Sequence, residues 1–199
     1  MAGSIIFNDI LNRGIRQGKI PARTQDARDW FRKKARQTRS SQAYPRSIMS
    51  SAERKKARLV PGMIVHFFYD PKTKDKLPYY DTFPLIFFVG PAENGFYGIN
   101  LHYLPPSLRA NLMDALYDAA NNKKYDDSTR IIISYGILKN ASKYRYFKPC
   151  FKHYLNNHVK SNFIQIDAVE WDIALFLPTE RFIKASRARV FRDSRRAVW

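Results

Sequence analysis

Positive charge in this sequence is segregated to its two ends, which limits what the chain can fold into. Residues 1–60 carry 15 Lys+Arg against 4 Asp+Glu and residues 181–199 carry 7 against 1, whereas residues 61–180 are near balance at 13 against 12. Like charges at such density repel one another unless a counter-charge meets them. The pattern therefore predicts a near-neutral folded body flanked by cationic extensions, with a polyanion, nucleic acid first, as the partner. Apolar residues make up 45% of the 199 and aromatics 15%, with only 8 glycines, which is enough to build a core and excludes a wholly disordered basic protein.

The single cysteine, Cys150, excludes an intrachain disulfide framework and a multi-cysteine zinc site, and fits assembly in a reducing compartment. No apolar run approaches the roughly 18 to 20 residues that span a bilayer, and residues 1–10 lack a signal-type pattern, so neither export nor membrane insertion is expected.

Along the chain, Ile6, Phe7, Ile10 and Leu11 form one stripe behind Ser4, predicting a helix over 4–15 stopped by Gly14, Gly18 and Pro21. Thr24 is placed to cap a second helix with Ala27, Trp30, Phe31 and Ala35 inward, and Arg28, Arg32, Arg36 and Arg39 in a row along one side. Residues 38–51 have linker composition, and a second basic block at 53–58 precedes Pro61-Gly62.

Residues 63–69, 83–89 and 96–101 are β-branched or aromatic runs separated by Asp70-Pro71 and Asn94-Gly95, and read as strands. Their order resembles the opening of a small SH3-like barrel, an analogy that carries no function. A helix is expected from Pro105-Pro106 to about Ala120, stopped by Asn121 and Asn122, and a short strand at 131–133. Phe151, Tyr154, Leu155, His158 and Val159 recur at helical spacing, with Lys148, Lys152 and Lys160 on other faces. Phe163–Ile166 reads as a strand, and the alternation of Val169, Trp171, Ile173, Leu175 and Leu177 with Glu170, Asp172 and Ala174 predicts a half-buried one ending at Pro178.

Motifs of phosphate loops, dinucleotide folds, nucleophile elbows and zinc proteases are missing from the sequence. Four histidines, His66, His102, His153 and His158, show no ligand spacing, and Cys150 reads as a small core residue rather than an activated thiol. Asp167, Glu170 and Asp172 with Lys160 are the one dense acidic group that a metal-dependent nuclease could use, and a solvated strand face looks the same. Among the aromatics, Tyr79 and Tyr80, beside a polar loop, are the best candidates for stacking on bases, while Phe67, Phe68, Phe87, Phe88, Phe96 and Tyr97 fit a core.

Several phrases carry a family resemblance: Pro61-Gly-Met-Ile, Tyr69-Asp-Pro-Lys, Leu77-Pro-Tyr-Tyr-Asp, Phe83-Pro-Leu, Gly98-Ile-Asn-Leu-His-Tyr-Leu-Pro-Pro, Leu108-Arg-Ala, Trp171-Asp and Phe176-Leu-Pro. Over about residues 60–195 the chain resembles a virion-associated protein of T-even-type contractile-tailed bacteriophages, of the DNA end protector family. The resemblance implies a non-enzymatic structural protein that caps the termini of packaged linear DNA or sits where DNA meets head and tail. It places no catalytic residue.

The expectation is an α+β protein: a basic helical arm and linker at 1–59, an α+β core at 60–180 with an SH3-like barrel at 60–104, and a basic tail at 181–199. Phosphate contacts are expected from Arg28, Arg32, Lys33, Lys34, Arg36, Arg39, Arg54, Lys55, Lys56, Arg58, Arg187, Arg189, Arg192, Arg195 and Arg196. No catalytic residue, metal, cofactor, membrane or small-molecule substrate is expected. The partners are sequence-nonspecific DNA and other phage virion proteins, in the virion and, during assembly, the host cytoplasm. Two alternatives stay open: a neck or baseplate component whose arms bind acidic neighbouring subunits, and a metal-dependent nuclease.

Overall fold

Apolar stripes in the basic N-terminal segment turn inward and make it part of the body. The computed structural model describes residues 6–20, 24–120, 124, 135–137, 140 and 145–196. Helix α1 (Ile6–Arg16) buries Phe7, Ile10 and Gly14, and α2 (Gln25–Gln37) buries Ala27, Phe31 and Ala35. Thr24 caps α2 as expected, its Oγ1 accepting from Ala27 N at 3.2 Å. Gly14 lets the two helices cross closely, because a Cβ there would lie 2.4 Å from Cζ of the fully buried Phe31. A short α3 (Pro45–Met49) follows.

Six strands form one antiparallel sheet: β1 (Lys55–Lys56), β2 (Ile64–His66), β4 (Leu85–Ala92), β5 (Gly95–Asn100), β6 (Phe151–Leu155) and β7 (Phe163–Ile166), in the order β1-β7-β2-β4-β5-β6. A separate pair joins β3 (Tyr80–Asp81) to β8 (Phe182–Ile183). The three strands expected between 63 and 101 are present, and β4 and β5 meet at a two-residue turn in which Asn94 takes φ 56°. The mixed α+β class holds. The barrel does not: the six-strand ladder is open, with β1 and β6 at its edges, and β7, from far down the chain, pairs with β2. Residues 60–104 therefore do not close a sheet among themselves.

The remaining helices are α4 (Pro106–Ala120), α5 (Trp171–Phe176) and α6 (Arg187–Arg196). Two expectations are overturned. Residues 151–155 form edge strand β6 rather than a helix, because five residues after Pro149 pair with Gly95–Ile99. Residues 169–177 form a 3-10 turn and then α5 rather than a strand. Ile173, Ala174, Leu175 and Phe176 are all buried, so α5 has no solvated side to show a helical period, and the apparent polar face, Glu170 and Asp172, is buried too. The caps and strand expected at Ser4, Asn121, Asn122 and 131–133 lie outside the described residues.

One large cluster joins Phe7, Phe31 and Ile48 from the N-terminal segment to the sheet residues Ile64, Phe87 and Ile166, to Met113 of α4 and to Val190 of α6. The opposite sheet face carries a smaller aromatic cluster built on Phe67, Tyr69, Phe88, Phe96 and Tyr154. Both basic ends are therefore packed onto the body, and the guanidinium groups they carry face very different surroundings.

Candidate nucleic-acid interface

Three of the expected phosphate ligands are committed to acids inside the protein. Arg32 donates from Nε to Asp172 Oδ1 at 2.6 Å and from Nη2 to Asp114 Oδ1 at 2.7 Å. Arg28 reaches Asp114 at 3.2 Å and Asp118 at 3.5 Å. Arg54 holds both carboxylate oxygens of Glu170 and the side-chain oxygen of Asn8. The arginine row of α2 therefore begins as a seam against α4 and α5, and only its far end, Arg36 and Arg39, is exposed. The same pairs dismantle the acidic group at 167–172: Glu170 and Asp172 are each held by an arginine from the N-terminal segment. Among the described residues, no group of three or more His, Cys, Asp or Glu side chains could hold a metal ion.

The two basic ends meet at one groove of about 990 Å³, lined by Arg36 and Arg39 after the seam, by Arg187 of α6, and by Pro106 and Ser107 at the start of α4. The Arg36 guanidinium lies 4.4 Å from the Phe176 ring centroid, which fixes its plane while leaving its donors to solvent. A helix N-terminus adds partial positive charge to the same groove. Glu180 is the acid lining it, and that carboxylate is occupied: Arg109 Nη2 donates to it at 3.0 Å and Arg187 lies 3.6 Å away. Burial pushes Glu180 up, but Arg109, His102, a backbone donor and Arg187 together outweigh it and hold the carboxyl below its ordinary value. Arg109 itself is buried and also donates to the carbonyls of Leu104 at 2.7 Å and His102 at 2.9 Å, so it forms the floor rather than a contact surface.

The other expected residues lie on outer faces. Lys33, Lys55 and Arg58 are exposed, and Lys34 and Lys56 partly so. On α6, Arg189 and Arg192 approach Asp193 at 3.6 and 4.0 Å, and Arg195 and Arg196 are exposed near its end. A family model described as phage T4 terminal DNA protecting protein matches residues 12–199. The chain belongs to that family. No curated protein and no solved structure matches it. This terminal DNA protecting family is a phage one, and among the described residues no helix is long and apolar enough to cross a membrane.

A second concavity opens on the aromatic-cluster face of the sheet. It measures about 300 Å³ and is lined by Tyr69, Tyr79, Tyr80, Tyr103, Lys152 and Tyr154, among others. The stacking candidates thus separate: Phe67, Phe87, Phe88 and Phe96 are core, and Tyr79 and Tyr80 border this cleft. Lys152 was hidden from sequence reading by the helical assignment of 151–159. The short aromatic run after Pro149, ending at Asn156-Asn157, was the signal for a strand that could have revealed it.

Beneath this cleft Asp81 accepts from four donors: Phe83 N at 3.0 Å, Arg181 N at 3.3 Å, Asn100 Nδ2 at 3.3 Å and His102 Nδ1 at 2.6 Å. Burial pushes its carboxyl up, but His102 and the other donors more than offset that and hold it below the ordinary carboxylate value. His102 Nε2 accepts from Thr179 Oγ1 at 3.0 Å, giving the Asp-His-hydroxyl order of a nucleophile triad. Thr179 is 0% exposed, so no substrate reaches its hydroxyl, and the trio acts as a strut between β3, the 101–103 turn and the 177–182 segment. Cys150 is likewise sealed, with burial pushing its thiol up to about 12.

Proposed function

We propose that this protein is a non-enzymatic phage structural protein that binds the ends of linear DNA at the head–tail region of the particle, gripping backbone phosphates in the groove where its two basic ends meet. The observation that carries this reading is the convergence of Arg36, Arg39 and Arg187 with the start of α4, around a carboxylate that Arg109 already neutralises. Guanidinium forks and a helix N-terminus suit phosphate oxygens and read no sequence. Lys33, Lys34, Lys55, Lys56, Arg58, Arg189, Arg192, Arg195 and Arg196 extend the positive field around the groove, whereas Arg28, Arg32 and Arg54 build the body that holds it. Membership of the terminal DNA protecting family supports the preference for ends. The protein acts in the virion after assembly in the host cytoplasm, beside other virion proteins.

The test is competition among blunt linear, nicked and closed circular DNA of one length at several salt concentrations. Preference for the linear form is expected, with affinity for all three forms weakened in the R36A/R39A/R187A variant. Equal affinity for linear and closed circular DNA removes end binding. A flat salt response removes phosphate gripping altogether and favours acidic neighbouring subunits as the partners of the basic ends.

A further inference from the structure

Among the described residues, Lys152 presents a cation without a counter-charge. Its Nζ lies 4.2 Å from the centroid of the Tyr103 ring, and among the described residues it has no hydrogen-bond or carboxylate partner. The neighbouring acid, Asp81, is saturated by its four donors, and the Cys150 thiol is neutral. Burial holds the Lys152 ammonium below the ordinary lysine value, a cost that an incoming anion would relieve.

Around it, the hydroxyls of Tyr79, Tyr80 and Tyr103 also have no hydrogen-bond partner among the described residues, whereas those of Tyr69 and Tyr154 are engaged by Leu155 N and Asn100 Nδ2. Among the described residues, one cleft therefore gathers an unpaired ammonium and three phenols with donors to spare, on aromatic walls. Its outer wall is held in place: Lys184 Nζ donates to the carbonyls of Lys74 at 2.8 Å and Asp75 at 3.2 Å, tying down the 72–78 loop that carries Lys72 to the rim.

The volume, about 300 Å³, lies at the small end of ligand pockets, so it admits a single compact group and not a continuous duplex. A phosphomonoester at a strand terminus fits this chemistry. It carries more charge than an internal diester, and its sugar and base offer flat surfaces to tyrosine. We propose that the Lys152 cleft takes the terminal phosphorylated nucleotide of a DNA end, with the phosphomonoester on Lys152 and the free phenols and the base against the tyrosine walls. This rests on the DNA-end reading above and makes it specific: the groove grips the backbone of any DNA, and the cleft distinguishes a terminus.

The test uses the full chain and internally labelled blunt duplexes of one sequence carrying a 5′-phosphate, a 3′-phosphate or only hydroxyl ends, together with a hairpin-capped duplex that has no ends. One charge-assisted contact is worth about ten- to a hundredfold in affinity. One phosphorylated form is expected to bind tighter than the hydroxyl form by that factor, and whichever it is identifies the strand polarity. K152M should level the phosphorylated and hydroxyl duplexes while leaving the hairpin-capped duplex unchanged, and K152R should keep part of the preference. The comparison of ends on the unaltered protein stands even if K152M folds poorly. Preference for open over capped duplex, without any effect of either phosphate, overturns the cleft assignment and leaves end binding intact. Equal binding of open and capped duplexes overturns both.

Discussion

Nε of Arg32 donates to Oδ1 of Asp172 at 2.6 Å, fastening residues 140 positions apart in the chain. Through this bond and its neighbours at Asp114, the N-terminal basic helix becomes part of the wall of a fold whose other end supplies the remaining cations. The charge asymmetry is therefore divided between structure and surface: part of it neutralises buried acids, and the rest is carried to the groove.

Removing one member of this pair leaves a buried charge alone. R32M or D172L should each cost about 3–5 kcal/mol of stability in urea unfolding, as for other buried pairs broken on one side. The double variant should recover much of the loss, because among the described residues Asp172 Oδ2 has no hydrogen-bond partner and the pair is incompletely satisfied as it stands. R36M, one turn of α2 further and exposed, should stay within about 1 kcal/mol of the parent. Equal losses for R32M and R36M would contradict the division between seam and groove.

Much of this arrangement is legible in local signals, whereas the arginine seam and the groove depend on long-range contacts. Thr24, the α2 stripe, the Asn94-Gly95 hairpin and the Pro106 helix start are local signals, and each appears where its residues place it. Arg28, Arg32 and Arg54 look in sequence like free phosphate ligands because their counter-charges, Asp114, Asp172 and Glu170, are distant in the chain. Glu170 and Asp172 in turn imitate a solvated strand face because nothing local shows that arginines bury them. The groove exists only once both ends dock on the same side of Phe176 and Pro178, a long-range event with no periodicity to announce it.

His66 makes the fold sensitive to acid. It is fully buried, donates from Nδ1 to Pro84 O at 3.1 Å and stacks on Phe83, while Nε2 has no hydrogen-bond partner among the described residues. Burial, with His102 and Arg181 nearby and Asp81 opposing them, drops its pKa to about 3, so it is neutral when folded and takes up a proton only on unfolding. A depressed pKa contributes stability above the unfolded value near 6.5, and that contribution is lost as pH falls from there toward 3, on the order of 3–5 kcal/mol in all. Asp81 and Glu180, both held low, add losses of the same sign at lower pH. Asp172, which burial pushes up to about 6, acts the other way and offsets part of this loss between about pH 6 and 4. Melting temperature should fall below about pH 6.5 by the surplus of the His66 contribution, and H66F should flatten the upper part of that fall. An unchanged slope in H66F would assign the effect to the carboxylates.

Gly95 sets how closely β6 approaches β5. A Cβ at this position would lie 1.9 Å from the carbonyl oxygen of Tyr154, a backbone atom that cannot turn aside. G95A should cost about 1–3 kcal/mol, as overpacking does. Because β6 carries Lys152 and Tyr154, the same change should blunt discrimination between phosphorylated and hydroxyl DNA ends while leaving general DNA binding near the parent. Loss of both together would mean that the sheet edge and the groove are not independent.

The groove makes its own prediction through salt. If the basic surface engages roughly 6 to 10 phosphates, affinity for linear DNA should fall about three to five decades between 50 and 200 mM salt. Each guanidinium that meets a phosphate contributes about 0.9 to the slope of log affinity against log salt, so R36A, R39A and R187A should each lower that slope by about this amount, with little change in melting temperature. R189A and R192A should lower it less, since Asp193 lies beside both side chains. R32M should leave the slope of the folded fraction unchanged, because Arg32 is buried against Asp114 and Asp172 and has no path to a phosphate. A slope that falls for R32M as much as for R39A, in protein shown to be folded, would place the α2 seam and not the groove against the DNA.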